Sequence, residues 1–235
     1  MEYFRGQITE IRVNGNGETQ AIIHAQDKNI PSPGQYLQAW NPADSDSPLP
    51  ISLFPSGYFD DRAFLSAPPF PSKWKPGDEL QLRGPLGRGF SHGLTVTRLG
   101  LISLDDSPDR LMAFADLVLN KNIEVALFSD TLPPKISTQI EVNPLSIANQ
   151  AFKWADSVAI DTRPTSIEDI LKKIGISPGE SFPCPTEILI NIPMPCAGIA
   201  KCGVCTLSDG KNKSLLTCED GPVFSLTSQG LKISR

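Results

Sequence analysis

The sequence predicts a protein of mixed β and α/β class, and three observations support this prediction. Residues 1–97 contain short alternating segments separated by glycine and proline, which is typical of strands in a small β-barrel. Residues 98–178 follow the order strand, helix, strand, which predicts a βαβ unit on a parallel sheet. Residues 179–235 contain all five cysteines of the chain. We therefore expect three units with these boundaries.

The first unit is expected to be a β-barrel of the six-stranded type. Alternating apolar and polar residues predict strands, and Asn-Gly-Asn-Gly at 14–17 and Pro33-Gly34 predict turns. A Lys-Pro-Gly-Asp turn leads into the last strand that the pattern identifies. The predicted strands cover residues 5–13, 19–24 and 35–40 and the end of 75–83.

The second unit shows the alternation of apolar strands and amphipathic helices that defines a βαβ protein. Ser107 is expected to cap the first helix, with Pro108 at its first helical position. The predicted elements are a strand at 99–104, a helix at 110–120, strands at 124–128 and 157–160, and a helix at 166–174. From residue 179 onward the sequence predicts little regular structure.

Four cysteines lie in the order C-x5-C-x2-C-x12-C: Cys196, Cys202, Cys205 and Cys218. This set of thiolates matches the requirement of a [2Fe–2S] cluster, in which each iron takes two protein ligands. Small residues fill the first gap, and Gly198 and Gly203 would let the backbone approach inorganic sulfide closely. The spacing therefore predicts a one-electron relay site.

Two other interpretations of the cysteines stay open. A structural zinc site also uses a C-x2-C knuckle, but zinc ribbons usually have two knuckles, and this chain has one. A disulfide framework is disfavoured, because the chain is long and its number of cysteines is odd. Cys184, between two prolines, is expected to be a free thiol, with substitution as a ligand as the alternative.

Composition excludes several classes of function. The net charge is −5 and no basic stripe is present, so nucleic acid is not an expected partner. No apolar run approaches the roughly 18 residues of a membrane span, and the first residues lack the apolar core of a secretory signal. A cytoplasmic, reducing compartment is therefore expected, and such a compartment also suits a thiolate-bound cluster.

Several motifs along the chain resemble one family. The segments are 33–36 (Pro-Gly-Gln-Tyr), 75–79 (Lys-Pro-Gly-Asp-Glu), 84–90 (Gly-Pro-Leu-Gly-Arg-Gly-Phe), Met194 with the cysteines, and 220–224 (Asp-Gly-Pro-Val-Phe). Together they resemble the electron-transfer subunit of NAD-linked dihydroorotate dehydrogenase, in the ferredoxin-reductase superfamily. The resemblance implies FAD on the barrel, NAD on the second unit, and a cluster that relays electrons to a flavin-bearing catalytic subunit in pyrimidine biosynthesis. The family's first cysteine gap is four residues and here it is five, as in adrenodoxin-like ferredoxins.

The flavin strand departs from the family's pattern. The resemblance places flavin contacts at Pro50, Ile51 and Ser52, but Pro48 and Leu49 stand where the family has an arginine pair that grips phosphate. A second phosphate contact of the family, a Gly-Thr pair, is replaced by Ala67-Pro68, and proline has no amide proton to donate. FAD binding is therefore expected to be weak unless Arg62 or Arg88 compensates.

The nicotinamide site departs further. A dinucleotide site needs a glycine-rich turn at a helix N-terminus, but residues 105–109 include Asp105, Asp106 and Asp109, which would repel phosphate. The family's Cys-Gly-Pro segment is replaced by residues 160–164, Ile-Asp-Thr-Arg-Pro. We therefore expect a degenerate nucleotide-binding-like unit without NAD.

These observations predict a [2Fe–2S] electron-transfer component that exchanges single electrons with a flavin-bearing oxidoreductase. The first alternative is a complete reductase subunit that uses FAD and NAD. The second is a non-redox scaffold stabilised by zinc. The sequence identifies no catalytic acid, base or nucleophile, and His24 and His92 are expected to be structural or surface residues.

Overall fold

A computed structural model describes residues 3–13, 17–26, 29–91, 96–104, 107–177, 180–209, 214–227 and 230–233. Within these residues, the first sheet has seven antiparallel strands in the order β4-β3-β7-β1-β2-β6-β5. The strands are β1 Tyr3–Val13, β2 Thr19–Ala25, β3 Tyr36–Trp40, β4 Ile51–Leu53, β5 Pro55–Tyr58, β6 Ala63–Ser66 and β7 Glu79–Leu86. Strands predicted at 5–13, 19–24 and 35–40 are confirmed within one or two residues at each end.

The predicted closed barrel of the six-stranded type is wrong. Among the described residues the sheet is open, with β4 at one edge and β5 at the other, although only Phe54 separates these strands along the chain. Both strands are short, and Pro55 at the start of β5 has no amide proton for a ladder. The two edge strands, β4 and β5, therefore form no hydrogen-bonded ladder with each other that would close the sheet into a barrel.

The second sheet confirms the predicted βαβ order. Its order is β10-β9-β8-β11-β12-β15-β16, with parallel pairing from β10 to β12. The strands are β8 Arg98–Ser103, β9 Glu124–Phe128, β10 Ile140–Asn143, β11 Ser157–Thr162, β12 Thr186–Ile190, β15 Val223–Thr227 and β16 Gly230–Ile233. The helices are α1 Asp109–Leu119, the 3-10 turn Leu145–Gln150, α2 Ala151–Trp154, α3 Ile167–Ile174 and α4 Thr217–Asp220.

The N-terminus of α1 lies one residue later than predicted. Pro108, not Ser107, is the N-cap, and the first helical residue is Asp109. The Ser107 hydroxyl still accepts a hydrogen bond from the Asp109 amide at 3.3 Å. The second predicted helix begins as expected, because the Ser166 hydroxyl accepts a hydrogen bond from the Asp169 amide at 3.0 Å.

The prediction of little regular structure after residue 179 is also wrong. The strand β12 joins the parallel part of the second sheet, and β15 and β16 extend it in antiparallel fashion. A separate hairpin forms from β13 Thr206–Ser208 and β14 Ser214–Leu216. The strand β12 is short, follows Pro185 and contains Thr186 and Glu187, so it shows no plain strand pattern, although all five of its residues are buried in the sheet.

One apolar core connects the two sheets. Phe90, which follows the first sheet, stacks on Phe114 of α1 with ring centroids 4.9 Å apart. Tyr36 and Leu86 belong to the same buried group as Leu101 and Val223 of the second sheet. The sheets are therefore fixed against each other, and a cleft remains between them.

Candidate metal centre and adjoining cleft

The four predicted ligands come together as two pairs of thiols. The Sγ atoms of Cys205 and Cys218 are 3.3 Å apart. The Cys202 thiol donates a hydrogen bond to the sulfur of Cys196. Two sulfurs that share a tetrahedral metal ion, with bonds of about 2.3 Å, are separated by roughly 3.8 Å. The Cys205–Cys218 pair therefore needs only a small adjustment to chelate one ion.

The hairpin explains how Cys205 and Cys218 meet across the long gap. Cys205 directly precedes β13, and Cys218 follows the end of β14 by one residue. The amide and the hydroxyl of the intervening Thr217 both donate to the Cys205 carbonyl, at 3.0 and 3.1 Å. Thr217 is wholly buried, so these bonds are shielded from water. The antiparallel ladder thus brings the two cysteines side by side.

The cysteine loop, residues 194–205, has an unusual backbone. Ala197 and Ala200 have positive φ angles of 58° and 57°, and Gly198 and Gly203 share this left-handed conformation. An alanine in this region costs about 1–2 kcal/mol, so the surrounding structure must impose it. This backbone turns several amides of the loop toward the Cys196 sulfur.

These amides reach the thiols directly. Burial alone would raise the pKa of Cys196, but hydrogen bonds from the Lys201 amide, the Cys202 thiol and the amides of Cys202 and Ile199 lower that pKa to about 6. Burial, followed by the hydrogen bond and the charge of Cys205, raises the pKa of Cys218 to about 12. The two pairs therefore differ in their electrostatic surroundings. Cys196, in the pair with Cys202, loses its proton more readily than Cys218, in the pair with Cys205.

Four cysteine thiolates suit either a structural zinc ion or a [2Fe–2S] cluster. Among the described residues, no group of three or more ligating side chains is arranged closely enough to hold a metal ion as it stands. Two pairs of thiols with inward amides are what a [2Fe–2S] group needs from the protein. Cys196, Cys202, Cys205 and Cys218 would hold that group.

One side of the cysteine loop is open to solvent. Cys205 and Cys218 are buried, Cys196 is half-buried and Cys202 is exposed. Ile199 and Val204 are also exposed, at 47% and 53% of their surface. Cys205 and Cys218, the inner pair, are held in the core. Cys196 and Cys202, the outer pair, lie beside an apolar surface.

The first sheet supports the cysteine loop from behind. Arg83 of β7, nearly buried, donates from Nη1 to the Ala197 carbonyl. Tyr36 of β3 is wholly buried and packs in the same apolar group as Cys205 and Cys218. These contacts fix the loop against a rigid sheet.

Three of the sequence motifs converge next to the loop. The Arg88 amide donates to the Gly221 carbonyl at 2.7 Å, and the Gln35 amide nitrogen Nε2 donates to the Gly87 carbonyl at 3.1 Å. A Cβ on Gly87 would lie 2.4 Å from Pro222, and the φ of Gly87 is +75°. Only glycine allows this close approach, which connects the segments 33–36, 84–90 and 220–224.

A cleft of about 530 Å³ separates the two sheets and reaches the cysteine loop. Pro50, Ile51 and Ser52 line one wall, as the flavin prediction requires. The Ser52 hydroxyl accepts a hydrogen bond from Gln38 Nε2 at 2.8 Å, which anchors the edge strand β4. Met194 and Pro195 line the far end, directly before Cys196. The volume falls within the range of small-molecule sites.

The cleft has few groups for a phosphate. The described residues that line it include Leu49 and Pro68, which lack the phosphate-binding arginine and amide proton of the family. Neither Arg62 nor Arg88 lines the cleft. Its described cations, Arg110 and Arg163, lie on the α/β side. The 50–52 side of the cleft thus offers no charged donor to a diphosphate.

The nucleotide crevice of the second sheet is filled by the protein itself. In the order of the sheet, β9 and β11 lie on opposite sides of β8, so the crevice is expected at the carboxyl ends of β8 and β11. There the guanidinium of Arg110 binds the carboxylate of Asp161 through two contacts of 3.0 Å, Nε–Oδ1 and Nη2–Oδ2. Their side chains are 6% and 0% exposed. We call this position the switch-point crevice.

The N-terminus of α1 is also occupied. Asp109 is buried there and accepts hydrogen bonds from Gln20 Nε2 at 2.8 Å and from the Ser107 hydroxyl. Burial raises the pKa of Asp109, against the lowering effect of these bonds. A pyrophosphate would have to displace this carboxylate, so the site does not fit NAD. Asp105 and Asp106, also expected to repel phosphate, lie outside the described residues.

The remaining sequence candidates lie away from the centre. Cys184 precedes the amino end of β12, whereas the cysteine loop follows its carboxyl end. Burial raises the pKa of Cys184, which leaves it a neutral thiol. His24 is exposed on β2, and His92 lies outside the described residues.

Sequence reasoning missed four charged or polar residues in the core. Asp161 ends an apolar strand and Arg110 falls among apolar helix residues, and a charge inside such a run is a signal that a partner is buried nearby. Arg83 breaks the alternation of β7. Tyr36 gave no signal, because tyrosine is common in strands.

The fold is shared with ferredoxin-reductase-like proteins. No protein-family model matches the sequence, and a search of curated protein sequences finds no relative. The NADH-dependent reduced ferredoxin-NADP oxidoreductase, a protein of flavin-based electron bifurcation, superposes with a TM-score of 0.68 at 15% identity over 97% of this chain and 90% of its own.

Two further solved structures are similar. Phthalate dioxygenase reductase, a modular protein for electron transfer from pyridine nucleotides to [2Fe–2S], gives a TM-score of 0.54 at 9% identity over 92% of this chain and 94% of its own. The ferredoxin reductase of carbazole 1,9a-dioxygenase gives a TM-score of 0.57 at 12% identity, over 75% of this chain and 67% of its own. At such identities the likeness shows the fold. No helix in the described part of the chain has the length and apolar character to cross a membrane.

Proposed function

We propose that this chain is a [2Fe–2S] electron-transfer protein that exchanges single electrons with a flavin-bearing oxidoreductase. The observation that carries the proposal is the pairing of thiols, Cys196 with Cys202 and Cys205 with Cys218, inside a loop whose amides point at sulfur. We propose these four cysteines as the ligands. The bound cluster would supply reversible one-electron transfer.

The chain's own residues would perform three tasks. The buried pair Cys205 and Cys218 would exclude water from one side of the group, which limits reorganisation during electron transfer. Arg83 would hold the loop in shape through its bond to Ala197. The exposed outer pair would give a partner a short path for electrons.

The partner that we propose is similar to the flavin-bearing catalytic subunit of NAD-linked dihydroorotate dehydrogenase. The support is the set of sequence motifs, which pack around the cysteine loop. In this arrangement the chain would be a component of an oxidoreductase complex and not a self-sufficient enzyme.

A second candidate is a complete reductase subunit with FAD and NAD. The cleft favours it, since Pro50, Ile51 and Ser52 line a space that ends at Pro195, next to a proposed ligand. The filled switch-point crevice and the missing phosphate donors oppose it. A zinc-stabilised scaffold is the third candidate, and the single C-x2-C knuckle of the chain opposes it.

Metal analysis and a visible spectrum of anaerobically purified chain test these candidates together. We expect about two iron atoms and two acid-labile sulfides per chain, no stoichiometric flavin, and no bleaching on addition of NADH. About one zinc without iron would contradict the cluster. Stoichiometric flavin with bleaching by NADH would establish the complete reductase instead.

The partner is tested by rapid mixing. The dithionite-reduced chain, freed of excess reductant, is mixed with a flavin-bearing dihydroorotate dehydrogenase catalytic subunit, and cluster absorbance is followed. We expect reoxidation that saturates with partner concentration. A rate no faster than with free flavin would contradict this choice of partner.

A further inference from the structure

Tyr36 places a polar atom in the apolar wall behind the cysteine loop. It begins β3, opposite Leu86 of β7, and its ring packs against Phe54 with centroids 5.5 Å apart. The side chain is 0% exposed. Phe54 lines the cleft, and Cys205 and Cys218 belong to the same buried group as Tyr36. The residue therefore lies between the cleft and the proposed ligands.

The hydroxyl of Tyr36 has no hydrogen-bond partner among the described residues. Buried hydroxyls are nearly always paired, since a lost hydrogen bond to water must be replaced. Phenylalanine would fill the same volume without this cost. An acceptor that the polypeptide itself does not provide would account for the hydroxyl.

The cysteine loop approaches this hydroxyl closely at Gly198. A Cβ on Gly198 would lie 2.9 Å from the Tyr36 oxygen and 3.9 Å from the Cβ of Cys218. A side chain at this position would collide with the hydroxyl, so glycine allows the close contact. The Tyr36 hydroxyl therefore lies directly against the loop that carries the proposed ligands.

Electrostatics around the phenol point to the same neighbours. Burial raises the pKa of Tyr36, and the negative charges of Cys218, Cys205 and Cys196 add to this effect, while Arg83 opposes it. The phenol oxygen therefore lies within electrostatic reach of three of the four proposed ligands.

We propose that the Tyr36 hydroxyl donates a hydrogen bond to a sulfur of the bound [2Fe–2S] cluster and raises its reduction potential. This inference rests on the proposed function. The sulfurs of the reduced cluster carry more negative charge than those of the oxidised one, so a donor stabilises the reduced form more. Tyr36 is therefore a residue that sets the driving force of electron transfer.

The test compares reductive titrations of the wild-type chain, Tyr36→Phe and a control, Tyr58→Phe. The Tyr58 hydroxyl donates to the Pro31 carbonyl at 2.8 Å, so the control removes a partnered hydroxyl from the same sheet. We expect Tyr36→Phe to keep its iron and sulfide but to lower the reduced-to-oxidised ratio at a fixed potential about tenfold, or about 59 mV. Tyr58→Phe should leave the potential unchanged.

Two further measurements do not depend on that variant. Pulsed electron paramagnetic resonance of the reduced wild-type chain should show a strongly coupled proton that exchanges in D2O and is absent from Tyr36→Phe. In a Tyr3→Phe, Tyr58→Phe chain, fluorotyrosine labels Tyr36 alone, since the chain has three tyrosines. Its more acidic hydroxyl is a stronger donor, so the potential should rise.

The outcomes separate the two proposals. A loaded chain whose potential is the same in Tyr36→Phe and in the fluorotyrosine protein overturns this inference alone. A wild-type chain without iron and sulfide overturns the proposed function, and this inference with it. Opposite shifts for the two tyrosine changes establish the hydrogen bond.

Discussion

The cysteine loop and the switch-point crevice lie at the same edge of one sheet, yet they differ in how their polar groups are used. The loop follows the carboxyl end of β12, and the crevice lies at the carboxyl ends of β8 and β11. In the loop, amides donate to the Cys196 sulfur, and the buried Tyr36 hydroxyl behind it has no hydrogen-bond partner among the described residues. In the crevice, Arg110, Asp161 and Asp109 are bound by the protein itself.

The two regions therefore differ in whether the protein itself provides partners for all of their buried polar groups. A ligand site keeps donors or acceptors without protein partners, because the ligand will provide them. A crevice whose charges neutralise each other is stable when empty. The α/β fold alone therefore does not imply nucleotide binding, and the pairing of its polar groups is the better guide.

The largest expected effect comes from removing an inner ligand. Cys218→Ser leaves one ion with an incomplete set of thiolates, so we expect iron and sulfide in the purified chain to fall from about two each to near zero. Cys184→Ser is the matched control and should keep both. Retention of the cluster in Cys218→Ser would mean that Cys184 or another residue replaces it.

Breaking the ion pair of the switch-point crevice should destabilise the fold without removing the metal centre. Arg110→Gln leaves Asp161 buried without its partner, which typically costs about 3–5 kcal/mol. Urea unfolding followed by circular dichroism measures the loss, and iron per folded chain should stay unchanged.

The control for that experiment is an exposed pair. Lys73 and Asp46 are 2.8 Å apart, with side chains 65% and 74% exposed, so Lys73→Gln should change the free energy of unfolding by less than about 1 kcal/mol. Equal effects of the two substitutions would show that the crevice is not held closed by its charges.

The smallest expected effect is a change in pH dependence at Asp109. Because burial raises its folded pKa above the ordinary 3.8, the folded chain keeps a proton that the unfolded chain has lost. Stability from this group is therefore present below pH 3.8 and falls as pH rises toward the folded pKa. Asp109→Asn should remove this fall, seen as a gain relative to wild type between acidic and neutral pH in urea unfolding.

Asp156 provides a control of opposite sign. Hydrogen bonds from the Thr97 hydroxyl, the Thr97 amide and the Arg98 amide lower the pKa of Asp156 to about 2. Its contribution is present above pH 3.8 and lost as pH falls toward 2, so Asp156→Asn should lose stability at neutral pH relative to acidic pH. The same direction for both variants would contradict these assignments.

Sequence periodicity predicted seven of the sixteen strands among the described residues and both long helices, because these elements bury continuous apolar faces. It did not predict that the first sheet stays open between β4 and β5, since closure depends on ladder bonds that no local pattern encodes. It also failed for β12, a five-residue strand that includes Thr186 and Glu187 and is buried throughout.

The candidate site divides in the same way. The cysteines were predictable because metal chemistry restricts both residue type and spacing. The roles of Tyr36 and Arg110 were not, because each depends on what lies opposite in space, across two sheets or across the ends of two strands. The Asp209-Gly210 pair between two short apolar runs was a turn signal that could have revealed the hairpin.

That hairpin has a consequence for recognising related chains. Thr206 pairs with Leu216 and Ser208 with Ser214, so the ladder between these two described strands already brings Cys205 beside Cys218. The twelve-residue gap between Cys205 and Cys218 is thus a property of the connection and not of the metal centre. A search pattern that lets this gap vary, while fixing the two shorter ones, would find homologues that a rigid cysteine signature rejects.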